Sequence, residues 1–248
     1  MYLCSFNMKR LLHILLFILC ISPAISQVQT RELYLLHYDY QRTWRFGMTL
    51  GLHVADFAVS NHTKFVNLPN YPDPVVLQAA VTRPGIGFNI DAIIDYKVVR
   101  NLHLRTGGGI CFGSRVLSFY NAVSKELVHD MPFDSYYIEV PFLVKYSANR
   151  HSNFRPYVIG GANLRYNFGA RLNESKGVYF GLNPLEPFYD FGIGFDFFYY
   201  YFKLSVELKY SGGIINAASK NVAERYEGYR DAISRMNSRL ILLSFHFE

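Results

Sequence analysis

Strict alternation limits this chain more than any other feature. From Trp44 to Val54 the even positions are Trp44, Phe46, Met48, Leu50, Leu52 and Val54, and the odd ones are Arg45, Gly47, Thr49, Gly51 and His53. A helix repeats every 3.6 residues and would scatter such a pattern around its axis, whereas a strand turns successive side chains to opposite faces. Eleven residues of period two match a tilted membrane strand in length.

The pattern recurs seven times, always with apolar residues on one face and polar or small residues on the other. Gly85–Tyr96 sets Ile86, Phe88, Ile90, Ala92, Ile94 and Tyr96 against Asn89, Asp91 and Asp95. Leu102–Gly113 sets Leu102, Leu104, Ile110 and Phe112 against His103, Arg105, Gly107 and Gly109. Ser135–Tyr146 sets Tyr136, Ile138, Val140, Phe142, Val144 and Tyr146 against Glu139 and Lys145. Pro156–Phe168 places Asn163 and Arg165 on its polar face, Phe188–Phe198 places Asp190 and Asp196 there, and Phe202–Ser211 places Lys203, Glu207 and Lys209 there. Arg239–Phe247 completes the set, although Leu240 and Leu242 blur its inner face.

Eight such segments predict an all-β fold: an eight-stranded antiparallel transmembrane barrel of the bacterial outer membrane. Three links are short (Lys97–Asn101, Ser147–Arg155, Tyr199–Tyr201) and four are long (Ala55–Pro84, Ser114–Asp134, Gly169–Pro187, Gly212–Ser238). Short periplasmic turns alternating with long external loops give this arrangement and put both termini in the periplasm. A short helix is expected within Ile214–Met236.

Transmembrane helices are excluded, because no run of 18 apolar residues follows Gln27 and mean hydropathy is only +0.06. A soluble lipocalin-like barrel would alternate in the same way with its faces reversed. Glycine on the polar face counts against it, since glycine suits a crowded lumen. So do the uncharged apolar faces and the Trp44, Tyr96, Tyr146, Tyr189 and Tyr210 side chains at strand ends, where interface girdles sit. The terminal Ser244-Phe245-His246-Phe247-Glu248 fits an aromatic-ended last strand, one residue before the end.

The N-terminus carries export signals. Lys9 and Arg10 precede the apolar run Leu11–Ile21, Pro23 ends it, and Ala24-Ile25-Ser26 supplies small residues for cleavage before Gln27. Met8 is an alternative start, and a lipoprotein signal is disfavoured because Leu19 precedes Cys20. The expected organisation is a signal peptide over 1–26, a periplasmic lead-in over 27–43 and the barrel over 44–248, with no further domain. Tyr34, Leu35, Leu36, Tyr38 and Tyr40 of the lead-in are available for docking. The mature chain keeps only Cys111, so no intramolecular disulfide is expected, and no Cys/His spacing suits a structural metal. Its net charge of +6 is scattered singly rather than gathered as nucleic-acid binding requires. No cofactor, nucleic acid or small-molecule substrate is expected.

Six acids face inward (Asp91, Asp95, Glu139, Asp190, Asp196, Glu207), and so do six bases (Arg45, Arg105, Lys145, Arg165, Lys203, Lys209). An eight-stranded barrel has an interior that side chains fill, and charges buried there must pair. Equal numbers predict one connected salt-bridged plug rather than an aqueous pore. A lipid-modifying enzyme would need a nucleophile with a base and carboxylate at one rim. None of His37, His53, His62, His103, His129, His151 and His246 lies in a local motif of that kind. Pro141 cannot donate a ladder hydrogen bond and is expected to mark a bulge.

Tyr137-Ile138-Glu139-Val140-Pro141-Phe142-Leu143-Val144-Lys145-Tyr146 resembles the central strand motif of a Bacteroidetes outer-membrane β-barrel family, and Arg155–Ala162 resembles the strand that follows it. Phe46–Phe57 is similar to the first strand of the PorT/SprT family, barrel components of the type IX secretion system. That resemblance implies a non-enzymatic part in exporting and surface-anchoring proteins, with gliding motility linked in some relatives. It implies outer-membrane lipid and other secretion-system proteins as partners, and supplies no catalytic residues. A lipid-modifying enzyme and a passive structural or adhesion barrel are the alternatives.

Overall fold

The computed structural model describes residues 32–69, 71, 74–169 and 176–248. The signal peptide expected over 1–26, the cleavage before Gln27 and the first residues of the lead-in lie outside the described residues. Tyr34–Glu248 forms one compact unit.

The strands in chain order are β1 (Trp44–Asn61), β2 (Phe65–Val66), β3 (Val75–Arg83), β4 (Gly85–Val99), β5 (Leu102–Asn121), β6 (Leu127–Ser147), β7 (Phe154–Asn167), β8 (Phe180–Leu182), β9 (Leu185–Phe198), β10 (Lys203–Gly213), β11 (Ala218–Val222) and β12 (Ile233–Phe247). Strands β1, β4, β5, β6, β7, β9, β10 and β12 pair antiparallel in that order, and β12 returns to β1, so eight strands close a ring. Closure leaves the wall without an unpaired edge through its apolar belt. At mid-belt Leu50 faces Ile90 on one side and Phe245 on the other, all three outward. The belt of β1, Trp44–Val54, is about 37 Å of strand. At a tilt of roughly 40–45° it spans about 27 Å, close to the height of a membrane-facing apolar band. Trp44 and Tyr96 pack 4.6 Å apart at one border of the belt, and Tyr189 and Tyr210 pack 6.1 Å apart at the other.

The two ends of the barrel differ. The start of β1, the end of β12 and the three short turns lie at one end, here the terminal end, and the long hairpins rise from the other, the distal end. The long links are not the loops expected from sequence. The expected loop Ser114–Asp134 is a continuation of β5 and β6, paired from Ser114↔Asp134 to Phe119↔His129. The first expected loop holds the last residues of β1, then β2 and β3. The last contains β11, the start of β12 and the expected short helix, α2 (Glu227–Asp231; α1 is Leu36–Tyr40).

Period two persists through these extensions, but its chemistry reverses. Below Ala55 the apolar face of β1 looks outward; above it Phe57 turns inward and is 4% exposed. Leu117 and Phe119 of β5 and Met131 and Phe133 of β6 do the same. They meet Leu77, Phe180, Tyr229, Ile233 and Met236 in an apolar core that fills a distal cap. Gly228 of α2 lets this happen, because a Cβ there would sit 2.6 Å from the Asn67 carbonyl. Burial pushes the Tyr229 phenol, which lies in this core, up to about 12.

The expected bulge at Pro141 is absent. The β5–β6 ladder drops the rungs of Gly107 and Gly108 opposite it, and keeps one register on both sides, from Thr106↔Phe142 to Gly109↔Glu139. On its other side Pro141 stays paired with Asn163. The missing donor is absorbed by lost rungs rather than by an extra residue. Within this hairpin the register shifts instead at Phe119/Tyr120, near the distal tip.

Candidate functional site

The interior of the barrel is the candidate site, and it is built in storeys. The lowest is made by the lead-in. After α1 the chain enters β1, and Asp39 is carried into the barrel mouth, where it is 2% exposed. Arg155 grips both Asp39 oxygens with its two terminal nitrogens. Arg45 and Arg150 approach the same carboxylate at 3.6 and 3.8 Å. Arg45 and Lys97 donate to the Asp39 carbonyl at 2.9 and 3.1 Å, and Arg150 also donates to the Tyr34 carbonyl. One acid thus faces three guanidiniums, which suits a fully desolvated carboxylate. Tyr38 sits beside it, its phenol held above the usual range by burial and by the Glu248 carboxylate. This segment therefore stoppers the barrel mouth through Asp39, with Tyr38 half-buried beside it and Leu36 and Tyr40 exposed.

The second storey centres on Arg105, which reaches Asp95, Glu207 and Glu248, each at 3.3 Å. Glu248 pairs with Lys203 at 2.6 Å, and Asp95 with His103 at 2.7 Å. Glu207 accepts from Tyr157 at 2.9 Å and lies 3.3 Å from His246 Nε2, while His246 Nδ1 lies 2.8 Å from Thr49 Oγ1. Thr49, His246 and Glu207 have the connectivity of a hydroxyl–imidazole–carboxylate relay. Thr49 is 2% exposed, however, so a substrate has no approach to its oxygen. Beside this group Lys145 pairs with Asp196 at 2.8 Å, and Ser205 donates to Asp196.

In the third storey Arg165 pairs with Glu139 at 2.8 Å and Lys209 with Asp190 at 3.3 Å, with Asn163 donating to both acids. Arg165 also lies 4.5 Å from the Phe188 ring centre. Asp91 meets Asn89 at 2.5 Å and has no base within 4 Å among the described residues. Above lie His53 and Cys111, with both ring nitrogens 3.7 Å from the sulfur. There Arg115 packs 3.7 Å over the Phe57 ring and donates to Tyr137. Ala55, Phe188, Leu240 and Leu242 then form a first apolar layer beneath the cap core. Leu240 and Leu242, which blur the alternation of β12, are where the interior changes from polar to apolar.

Of the twelve charges expected inward, all but Asp91 are within a tenth of full burial, and the same eleven pair with another of the twelve or with an acid that the sequence pattern overlooked. They do not make one connected network. The ion pairs fall into the Asp39, Arg105, Lys145–Asp196 and Glu139–Asp190 groups, and Lys145, 3.7 Å from the ring centre of Tyr157, touches the Arg105 group only through that ring. Overlooked members are Asp39, which belongs to no strand, and Glu248, which follows the last one. Arg155 precedes a proline, and Arg115 and Glu186 lie in strand extensions. Strict alternation carried past Gly113 would have found Arg115. The glycines of β5 differ in role: a Cβ on Gly107 would lie 2.0 Å from the Ala92 carbonyl, whereas one on Gly108 meets nothing nearer than 3.8 Å.

A scan of protein families matches residues 26–219 to the model described as outer membrane protein beta-barrel domain. No curated protein matches the sequence. Among solved structures, the chain is similar to the outer membrane protein OprG from Pseudomonas aeruginosa, at 12% identity over 82% of this chain and 92% of that one, with a TM-score of 0.47. It is similar also to Neisserial surface protein A, at 11% identity over 83% and 98% with a TM-score of 0.38. For outer membrane protein AlkL the values are 12% identity over 82% and 91%, with a TM-score of 0.36.

Proposed function

We propose a function from one premise: the chain belongs to the outer membrane protein β-barrel domain family. Within that family it acts as a non-enzymatic component of a protein secretion machinery of the type IX class, needed for export and surface attachment of secreted proteins. The observation that carries this is the filling of the barrel. Asp39 and its guanidiniums stopper the mouth, paired charges occupy the belt, and an apolar core closes the cap. A wall stiffened in this way suits a docking platform for other secretion proteins better than a conduit. The resemblance of Phe46–Phe57 and Tyr137–Tyr146 to secretion-system barrels adds the process served. In this reading the signal peptide is removed before Gln27, both termini are periplasmic, and the cap stands outside the cell.

Deletion of the gene tests the role. Surface proteases and adhesins should remain inside the cell envelope, while other outer-membrane proteins keep their levels. Normal export and attachment in the deletion strain would refute the secretory role. A stable single-channel current from the purified protein in planar bilayers would refute the platform.

A further inference from the structure

We propose that the distal cap carries a binding site for a sugar bearing one negative charge, in a cavity between the β1–β2 connection and α2. The cavity measures 690 Å³, within the usual range for small-ligand sites. Its wall presents Lys64, Arg225 and Arg230 together with Glu227 and Asp231. Among the described residues, none of these five forms an ion pair within 4 Å. Arg230 is aimed rather than loose. Its Nε donates to the Ser219 carbonyl at 3.1 Å and its Nη1 to the Ile233 carbonyl at 3.0 Å, which fixes the guanidinium at the cavity wall. A guanidinium fixed in this way offers a charged donor with little ordering cost on binding.

The charge balance selects the ligand. Apart from the imidazole of His62 on the same wall, three bases and two acids leave one net positive charge, enough for a single carboxylate or phosphate. A polyanion would bring further negative charge against Glu227 and Asp231. The same two carboxylates are acceptors, and a sugar supplies the hydroxyl donors they need. Phe65, at 75% exposure, is an aromatic face on the same wall, on which the C–H side of a sugar ring can lie. Acceptors, cations and an exposed ring together fit an acidic sugar better than a bare anion or a neutral glycan.

Position excludes the headgroups of the surrounding bilayer. The belt of β1 ends at Val54 and the strand continues to Asn61, next to the cavity. That is about 24 Å of further strand, or about 17 Å along the barrel axis at a tilt near 45°. The sugar must therefore be water-borne or part of a polymer standing off the membrane.

Purified full-length protein in detergent micelles can be titrated with D-glucuronate, D-glucose and inorganic phosphate, with saturation-transfer NMR of the probe as readout. Glucuronate should bind saturably, and glucose and phosphate about tenfold more weakly or less. Arg230→Gln should abolish glucuronate binding. Lys64→Gln and Arg225→Gln, both at exposed side chains, should each weaken it about threefold or more and keep the heat-dependent gel migration of a folded barrel. Absence of glucuronate binding would overturn the proposal. So would equal binding of glucose, which removes the charge requirement, or of phosphate, which removes the sugar. Unchanged affinity in folded Lys64→Gln and Arg225→Gln would overturn it too.

Discussion

Replacing Glu139 by alanine should destabilise the barrel more than most single substitutions do, and the third storey shows why. Arg165 is fully buried, and Glu139 is the one carboxylate within 4 Å of it among the described residues. Removing one member of a buried pair strands the other charge and costs about 3–5 kcal/mol. The bond from Asn163 to Glu139, 2.8 Å long, is lost as well and adds about 1 kcal/mol. The exposed pair Lys176–Asp134, with side chains 62% and 38% exposed, is the control, and breaking it should cost about 0–1 kcal/mol. Urea unfolding of protein refolded into lipid vesicles measures both. With a slope of about 3 kcal/mol per molar urea, the Glu139→Ala midpoint should fall by about 1–2 M. Adding Arg165→Met should restore much of the loss, since a buried pair replaced by apolar side chains of similar volume is often neutral. A cost below about 1 kcal/mol for Glu139→Ala, or a double variant no more stable than the single one, would refute the buried-pair account.

Three further substitutions probe the wall and the stopper. Leu50→Arg places a charge on the outward face at mid-belt and should cost about 2–4 kcal/mol, seen as a reduced folded fraction in vesicles. Ser60→Arg lies on the same face of β1 beyond the belt and should fold normally; equal folding of both would show that the belt is misplaced. Asp39→Ala removes the shared acid of Arg45, Arg150 and Arg155 and should free the lead-in. Trypsin should then cut after Arg42 in a barrel that keeps its folded gel migration, and resistance equal to the wild type would show that other contacts hold the segment.

The belt was legible in the sequence because lipid enforces one rule there: apolar outward, small or charged inward. Trp44–Val54 obeys it at every position, so the strand, its faces and its inward charges could be read directly. The rule lapses where lipid ends. Phe57, Leu117 and Met131 continue the same alternation with reversed chemistry, so a template that equates apolar with outward ends these strands too soon. Asp39 was illegible for another reason. It lies on a five-residue helix with no periodicity, and only the chain path from α1 into β1 shows that it enters the barrel. Pro141 marks the limit of a local rule: a lost donor invites a bulge, but Gly107 and Gly108 opposite it leave room for the ladder to skip two rungs.

The reversal of the interior follows from what surrounds the wall. Within the belt the outward face must be apolar, and an apolar lumen as well would give continuous hydrophobic strands, prone to aggregate before insertion and without the amphipathic difference that fixes register. Side chains inside are therefore polar, and in a lumen this narrow they must pair storey by storey. Above the belt the outward face meets water, as Ser60, Gln78 and Ala80 do. There the constraint inverts, and Phe119, Met131 and Phe180 gain by turning inward, about 1.5–3 kcal/mol for each large side chain withdrawn from water. The height at which paired charges give way to Leu240, Leu242 and Phe188 therefore marks the distal border of the membrane from inside the barrel. It lies at Ala55, one residue past the last apolar outward side chain of β1, so the inner and outer patterns place that border independently at the same level.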